Sequence, residues 1–255
     1  RRVAVLGSGV MGSPIACHLA QTGSEVLLLD LPAKEGPRNA VAAGHLNDAI
    51  KSNPSPLYSK RFASRITPGN FDDDLAQISG CDWIIEVIVE RLDIKQQLFE
   101  RVEQHRKPGT LITTNTSGIP IALLSAGRSE DFRRHFCGTH FFNPPRYLQL
   151  LEIIPGPDTA PAVLDFFSRY GERVLGKQVV LCKDTPAFIA NRVGVFAIQA
   201  LFHTVAEMGL NIETVDRLTG PAMGRPKSAT FRTCDVVGID TLVHVANGVA
   251  THCPD

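Results

Sequence analysis

The sequence predicts an α/β protein with two domains: a doubly wound parallel sheet over residues 1–183 and an all-helical domain over residues 184–255. Short apolar strand patterns alternate with helix patterns in the first range, which is the order that places helices on both faces of a parallel sheet. From Thr185 onward, apolar residues recur only at helical spacing. That helical part stops at Asp255 without a recognisable end, so we expect the second domain to be incomplete in this chain.

The first elements follow one another closely. Residues 2–7 form an apolar strand pattern, residues 15–21 have helical spacing, and residues 25–30 form a second strand pattern. A strand, a helix and a strand within about thirty residues make a βαβ unit with parallel strands. Residues 32–75 are polar and broken by prolines, and we expect helix and loops there.

The later elements alternate in the same way. Further strands are predicted at 83–90, 110–114, 137–142, 150–154 and 178–181, and helices at 92–106, 119–125 and 161–175. In the second domain, a long helix is predicted to contain Pro186 in its first turn and to run past Val205. Two shorter helices are predicted at 211–218 and 240–250.

Composition excludes several classes of protein. The 255 residues carry 26 basic and 26 acidic side chains, which argues against a broadly basic nucleic-acid-binding protein and against a disordered chain. No apolar run reaches the roughly 18–20 residues that a membrane span requires. The six cysteines are scattered and include no Cys-x-x-Cys pair. We therefore expect reduced thiols, a cytoplasmic location and no metal site.

A glycine-rich turn follows the first strand. Gly7-Ser8-Gly9-Val10-Met11-Gly12 has the pattern G-x-G-x-x-G and opens a helix, the context in which this pattern binds the pyrophosphate of a dinucleotide. Asp30 ends the second strand, where an acid accepts hydrogen bonds from the adenosine ribose and repels a 2′-phosphate. An ordinary glycine turn is the alternative, but all parts of the nucleotide-binding pattern stand in the required order. We expect NAD as the cofactor.

A histidine and a glutamate suggest acid–base chemistry. His140 lies at the end of a strand pattern, and Glu152 interrupts the apolar segment 150–154. An acid inside an apolar strand is costly unless it is paired. A carboxylate on one imidazole nitrogen would orient the ring and leave the other nitrogen to exchange a proton. The alternative is a structural histidine and a separately solvated glutamate.

Two further polar residues have competing interpretations. Ser117 follows a predicted strand at the edge where doubly wound sheets bind ligands, and it could hydrogen-bond a substrate oxygen. Its alternative role is the N-cap of the next helix. Asn191 lies on the long helix of the second domain, and spacing alone favours an exposed polar residue there.

These motifs together identify a family. In chain order stand Gly7–Gly12, Glu86-Val-Ile-Val-Glu90, Asn115-Thr-Ser117, His140-Phe-Phe-Asn-Pro144, Glu152 and Lys183-Asp-Thr-Pro-Ala-Phe-Ile-Ala-Asn-Arg192. The combination closely resembles the L-3-hydroxyacyl-CoA dehydrogenases of fatty-acid β-oxidation. The segment 225–232 is similar to the bacterial fusion proteins that join this unit to further domains, including an enoyl-CoA hydratase module.

The resemblance implies a Rossmann-type domain that binds NAD and a role for each matching residue. The cofactor would contact Gly7, Gly9, Val10, Met11, Gly12, Asp30, Glu90, Lys95 and Asn143. The catalytic residues would be His140 as general base, Glu152 as its orienting partner, Ser117 against nicotinamide and substrate, and Asn191 on the 3-oxygen of the acyl chain. The substrate would be an acyl-CoA, and the family also implies a homodimer.

Two other functions remain open. A β-hydroxyacid dehydrogenase acting on a small free acid also opens with this glycine pattern, but it normally uses a catalytic lysine on the long helix. Here no lysine occurs between Lys183 and Lys227. A non-catalytic NAD(H)-binding protein of the same fold is the second alternative. The basic residues Lys60, Arg61 and Arg65 would meet CoA phosphates or simply form a solvated face.

Overall fold

The computed structural model describes residues 1–252, except for the side chains at positions 244, 251 and 252. It divides into two compact units, the first comprising Arg1–Asp184 and the second beginning at Thr185. The five cysteines within the described residues are free and buried, and Cys253 lies outside that range.

A single eight-stranded sheet organises the first unit. Its strands are β1 (Arg2–Leu6), β2 (Glu25–Asp30), β3 (Ile66–Asn70), β4 (Trp83–Glu86), β5 (Leu111–Thr114), β6 (Phe136–Phe141), β7 (Leu150–Pro155) and β8 (Gln178–Leu181). Their order across the sheet is β3-β2-β1-β4-β5-β6-β7-β8, and only β6 and β7 pair in antiparallel orientation. Strands β1 and β2 are almost wholly apolar because helices cover both faces of the sheet.

Helices complete both units. The first contains α1 (Gly12–Gln21), α2 (Ala40–Lys51), α3 (Leu92–His105), α4 (Ile121–Ser125), α5 (Glu130–Arg134) and α6 (Pro161–Arg173), with 3-10 helices at Lys60–Arg65 and Leu75–Gly80. The second contains α7 (Ala190–Met208), α8 (Ile212–Thr219), α9 (Phe231–Val237) and α10 (Ile239–His252), with a 3-10 helix at Pro221–Met223. Asn211 caps α8 by accepting a hydrogen bond from the Thr214 amide.

The predicted fold class is confirmed: a doubly wound Rossmann-type sheet precedes a helical unit. Several element predictions are wrong in detail. The segment 66–70 was expected to be helix or loop, yet it forms the edge strand β3, whose Pro68 is tolerated because β3 pairs only with β2. No helix was predicted at Phe231–Val237, where α9 forms.

Two predicted boundaries also change. The strand predicted at 83–90 ends at Glu86, the last residue with a partner in β5, so Glu90 lies in the following loop. The long helix begins at Ala190 instead of near Pro186, because Ala187 and Phe188 have positive φ angles that no α-helix accommodates. The first of these shifts moves Glu90 from a strand onto the loop that follows it.

Within residues 1–252, no helix is both long and apolar enough to cross a membrane. The same residues contain no group of three or more His, Cys, Asp or Glu side chains that could hold a metal ion.

The turn between β1 and α1 depends on close backbone contact. A Cβ atom at Gly12 would lie 1.8 Å from the carbonyl oxygen of Gly7, and one at Gly7 would lie 2.5 Å from the carbonyl oxygen of Val87. Gly7 also has a φ of 108°, a conformation that other residues rarely adopt. The helix can therefore approach the sheet edge only with glycine at these positions.

Replacement of Gly12 by alanine tests this packing. We expect Gly12→Ala to lower the free energy of unfolding by about 1–3 kcal/mol, because the backbone must shift to accept the methyl group. The matched control is Gly44→Ala in α2, where no atom lies within 4 Å of the added carbon. That variant should be more stable by about 0.5–1 kcal/mol, the usual gain from replacing a helical glycine. Denaturant unfolding measures both, and an unchanged stability of Gly12→Ala would contradict the packing argument.

Candidate active site

The predicted site residues of the first unit lie mainly at the carboxyl ends of the parallel strands. Strands β1 and β4 are adjacent in the sheet, although the chain passes through β2 and β3 between them. The connections after these two strands leave the sheet in opposite directions, which opens a crevice at this edge. The glycine turn after β1 and the loop after β4 form the two sides of that crevice.

Asp30 is fixed beside the glycine turn. Its carboxylate accepts hydrogen bonds from the Ser8 amide at 2.6 Å and from the Leu31 amide at 2.7 Å, and the Ser8 hydroxyl binds the same carboxylate. His45 of α2 contacts that hydroxyl at 2.8 Å. The carboxylate is thus held in place while 17% of the Asp30 side chain remains exposed at the end of β2.

The turn fits the pyrophosphate of a dinucleotide. No atom lies within 4 Å of the position that a Cβ would take at Gly9, so another molecule has room to approach the backbone there. The first turn of α1 has no acidic residue and no side-chain cap at Met11. The amide groups and the positive end of the helix dipole therefore face this space.

A cavity of about 450 Å³ adjoins the glycine turn. Gly9 and Val10 line it together with residues of α2 and with Asn143 and Arg146 from the loop between β6 and β7. The structure therefore brings Asn143 and the glycine turn to one cavity, as expected if both contact the same ligand. Val10, with 78% of its surface exposed, is an apolar side chain available to such a ligand.

His140 and Glu152 form a buried pair. They are directly opposite each other in the antiparallel ladder of β6 and β7. Nδ1 of His140 lies 2.8 Å from Oε2 of Glu152, and the two side chains are 4% and 0% exposed. Antiparallel partners on one face of a sheet have closely spaced Cβ atoms, so the register itself sets this contact. The carboxylate orients the imidazole when it accepts a hydrogen bond from Nδ1–H.

Ser117 lies on the other side of the imidazole. Its Oγ is 3.0 Å from Nε2 of His140, the nitrogen opposite the one that Glu152 binds. Ser117 is not a helix cap, since the amides of Ile121 and Ala122 at the start of α4 donate to the carboxylate of Asp184. The hydroxyl therefore belongs to the candidate site and not to helix termination.

Glu90 holds the loop that carries Ser117. Its Oε1 accepts hydrogen bonds from the Ser117 amide at 2.8 Å and the Gly118 amide at 3.1 Å, and from the Thr116 hydroxyl. Burial alone would raise the pKa of Glu90, but the charge of Lys95 and these donors hold that pKa below its ordinary value. Glu90 is therefore an anion beside the backbone of Ser117.

Lys95 is buried behind Glu90. Only 1% of its side chain is exposed, and its ammonium group lies 3.1 Å from Glu90 Oε2 and 2.7 Å from Glu86 Oε1. Glu86 was not among the predicted site residues. The signal that singled out Glu152, an acid within an apolar strand, is equally present in Trp-Ile-Ile-Glu at 83–86.

Lys177 is a second residue that the sequence did not indicate. Its ammonium group donates to the carbonyl oxygens of Pro145 and, at 2.7 Å, of Leu148, and so anchors the loop that contains Asn143. Burial lowers the pKa of Lys177 to about 8. A lysine before a strand has no distinctive spacing, so only the tertiary structure identifies it.

Asn191 belongs to the second unit. It is the second residue of α7 and is partly buried. Its role on the 3-oxygen of an acyl chain stays a prediction, as do the cofactor contacts of Glu90, Lys95 and Asn143.

The carboxylate of Asp30 provides a direct test of cofactor choice. We expect Asp30→Asn to weaken NAD binding about tenfold, because a charged acceptor for the ribose hydroxyls is lost. The preference for NAD over NADP should fall as well, since the 2′-phosphate is no longer repelled. Asp73→Asn, which removes the exposed partner of Arg38 beyond β3, is the control and should leave both affinities unchanged. Titration calorimetry measures the two dissociation constants, and an unaltered preference in Asp30→Asn would contradict the assignment.

Comparison with known proteins gives matches over nearly the whole chain. The model of the 3-hydroxyacyl-CoA dehydrogenase NAD-binding domain matches residues 2–185, and that of the C-terminal domain of the same enzymes matches residues 188–255. A probable 3-hydroxyacyl-CoA dehydrogenase of Bacillus subtilis is 49% identical over 98% of this chain, which spans only 34% of that protein. A probable 3-hydroxyacyl-CoA dehydrogenase of Deinococcus radiodurans is 46% identical over the whole chain and 74% of its own length.

A solved structure extends the agreement. The 3-hydroxybutyryl-CoA dehydrogenase of Escherichia coli K12 is 30% identical and superposes with a TM-score of 0.83 over 99% of this chain and 52% of its own. The expected cofactor, NAD, is confirmed by the match to the NAD-binding domain. On these matches, the chain belongs to the 3-hydroxyacyl-CoA dehydrogenase family.

Proposed function

We propose that this chain is the dehydrogenase unit that oxidises (S)-3-hydroxyacyl-CoA to 3-oxoacyl-CoA in fatty-acid β-oxidation. The observation that carries the proposal is the buried His140–Glu152 pair with Ser117 on its outer nitrogen. This arrangement suits a group that must accept a proton from an alcohol. Family membership supports the substrate class.

In the proposed mechanism, His140 removes the proton of the 3-hydroxyl group through Nε2. The glycine turn and Asp30 would hold NAD, which would supply the acceptor for the hydride of C3. Glu152 keeps the Nδ1 proton in place, so that only Nε2 presents a lone pair, and it compensates the positive charge of the imidazolium that forms. In the reverse direction, the same imidazolium protonates the developing alkoxide. General acid–base help of this kind contributes about 10²–10⁴-fold to the rate.

Ser117 indicates where the substrate hydroxyl would bind. Its Oγ already lies within hydrogen-bonding distance of Nε2, so a substrate oxygen at a similar distance could contact the base and the serine together. Asn191 would hold the same 3-oxygen. Glu90, with Lys95 behind it, and Asn143 would contact the nicotinamide half of the cofactor.

The cavity beside α2 belongs to the cofactor in this proposal, since the glycine turn and Asn143 line it. The guanidinium of Arg146 in the same cavity would pair with a phosphate of that cofactor. Of the basic group expected from the sequence, Arg65 instead donates to the carbonyl oxygen of Ala20, which favours a structural role for that residue.

We also propose that the functional protein is larger than this chain. The chain spans about a third of its Bacillus subtilis relative and of a putative fatty acid oxidation complex trifunctional enzyme of Rickettsia prowazekii, which supports fusion to further domains. The resemblance of the segment 225–232 implies that an enoyl-CoA hydratase module is one of them. Homodimerisation and a cytoplasmic location complete the proposal.

The substrate class is tested by following NADH absorbance with acetoacetyl-CoA and, in parallel, with free acetoacetate. We expect NADH oxidation only with the CoA ester, because the free acid lacks the CoA moiety, whose binding energy would help to hold the reacting carbon in place. Turnover of acetoacetate would favour a β-hydroxyacid dehydrogenase. NADH binding without turnover of either compound would favour a non-catalytic NAD(H)-binding protein.

The buried pair is tested by Glu152→Gln. We expect a folded protein whose kcat falls about 10²-fold or more, because the imidazolium loses its countercharge and the tautomer is no longer fixed. Its pH–rate profile should also change. The control Glu103→Gln removes the partner of Arg128, a pair remote from His140, and should leave both kcat and the profile unaltered. A wild-type profile in Glu152→Gln would count against the pairing.

A further inference from the structure

A second buried acid, besides Glu152, lies at the carboxyl ends of the parallel strands and has no role in the mechanism proposed above. Glu86 is the last residue of β4 and has no exposed surface. We propose that Glu86 is a positioning residue, which acts through Lys95 and Glu90 to hold Ser117 against the catalytic histidine. This inference rests on the proposed function and adds to it a residue that does not touch the substrate.

Glu86 joins the loops that follow two neighbouring strands. Its Oε1 accepts a hydrogen bond from the Ile88 amide at 2.7 Å, in the loop after β4. Its Oε2 accepts one from the Thr114 hydroxyl at 2.6 Å, at the end of β5. The Thr114 hydroxyl in turn accepts from the Thr116 amide at 3.2 Å. One carboxylate therefore fixes the start of both loops that form the base of the site.

Lys95 transmits this arrangement to Glu90. Its ammonium group contacts both Glu86 oxygens, at 2.7 and 2.9 Å, and Glu90 Oε2 at 3.1 Å. A buried ammonium ion needs its donors satisfied, so the positions of the two carboxylates are linked. Burial raises the pKa of Glu86, and the donors around it oppose that change.

Glu90 completes the connection to the base. Its other oxygen, Oε1, binds the Ser117 and Gly118 amides, so it sets the position of the Ser117 backbone. The Ser117 hydroxyl then reaches Nε2 of His140 at 3.0 Å. Every link from Glu86 to the imidazole is thus a hydrogen bond or ion pair of 3.1 Å or less.

Stability alone gives a weak reason for such a network. Two carboxylates and one ammonium group lose most of their hydration here, and well-packed apolar residues often stabilise a core as well or better. The charged groups instead fix the geometry of the loops, because each hydrogen bond forms only over a narrow range of distances and angles. A site in which a hydroxyl must stay close to one imidazole nitrogen needs such fixed geometry.

The test uses Glu86→Gln, which keeps the shape of the side chain and removes its charge. Amide hydrogen exchange measured by NMR on the substrate-free protein should be about tenfold faster at Ser117 and Gly118, since their acceptor Glu90 is no longer held. Turnover of acetoacetyl-CoA should fall by about tenfold or more for the same reason. The affinity for ADP-ribose, a probe of the glycine turn and Asp30, should stay within about twofold.

Asp131→Asn is the matched control. It replaces the carboxylate that pairs with Arg106, whose side chain is 5% exposed. This ion pair lies at the amino ends of the strands, opposite the end of the sheet that carries Ser117. We expect lower stability in this variant with neither faster exchange at Ser117 nor slower turnover. If Glu86→Gln does not fold, Thr114→Val decides the matter: it deletes the hydroxyl that donates to Glu86 and accepts from the Thr116 amide, while Thr114→Ser retains both hydrogen bonds. Faster exchange in the valine variant only is the expected result.

The two possible failures are distinguishable. Wild-type exchange at Ser117 and Gly118 in Glu86→Gln, or equal exchange in both Thr114 variants, would overturn the positioning role whatever the enzyme turns over. A wild-type protein that acts on no CoA ester would contradict the proposed function, whereas the exchange measurement needs no substrate.

Discussion

The antiparallel pairing of β6 and β7 is the constraint on which the site depends. The rest of the sheet is parallel, and parallel strands alone would not place two residues twelve positions apart in the sequence directly opposite each other. Here the chain reverses after β6, and the register sets His140 against Glu152. A slip of one residue would turn one of these side chains to the other face of the sheet. The packing of the apolar residues around the pair therefore also fixes its chemistry.

The same physical rule explains the second set of charges. A carboxylate within a buried strand is stable only with partners, and Glu152 and Glu86 both satisfy this condition at the same edge of the sheet. One acid lies beside the imidazole, and the other lies behind the loop that carries Ser117. Sites of this kind are held by side chains that do not themselves react. The group formed by Glu86, Lys95 and Glu90 has more acidic than basic side chains, because the single ammonium group of Lys95 contacts two carboxylates.

Much of this architecture could be predicted from local patterns. Apolar strands, a glycine turn and helical spacing are short-range signals. The βαβ unit and the end of the sheet that is expected to bind the dinucleotide were therefore predictable. The edge strand β3 was not predictable, because Pro68 and Gly69 are residues typical of turns. Its pairing with β2 is also a long-range contact that local patterns do not indicate. The late start of α7 was equally hidden, since the positive φ angles of Ala187 and Phe188 have no signature in their residue types.

The candidate site divides in the same way. His140 and Glu152 were predictable as a pair because a buried acid demands a partner and a histidine stood nearby in the sequence. The hydrogen bonds by which Glu86 and Lys177 hold loops in place depend on which loops lie close together in the folded chain. The spacing of residues in the sequence does not indicate this. The place of Lys95 behind Glu90, with both carboxylates around it, likewise becomes visible only in the folded chain.

The tautomer of His140 is the most direct measurement of the central claim. ¹⁵N NMR of the imidazole nitrogens in the NAD-bound protein near neutral pH distinguishes a proton on Nδ1 from one on Nε2. The structure predicts a protonated Nδ1 that donates to Glu152 and an unprotonated Nε2 directed to Ser117. A neutral ring with its proton on Nε2 would contradict the account, because no lone pair would then face the substrate.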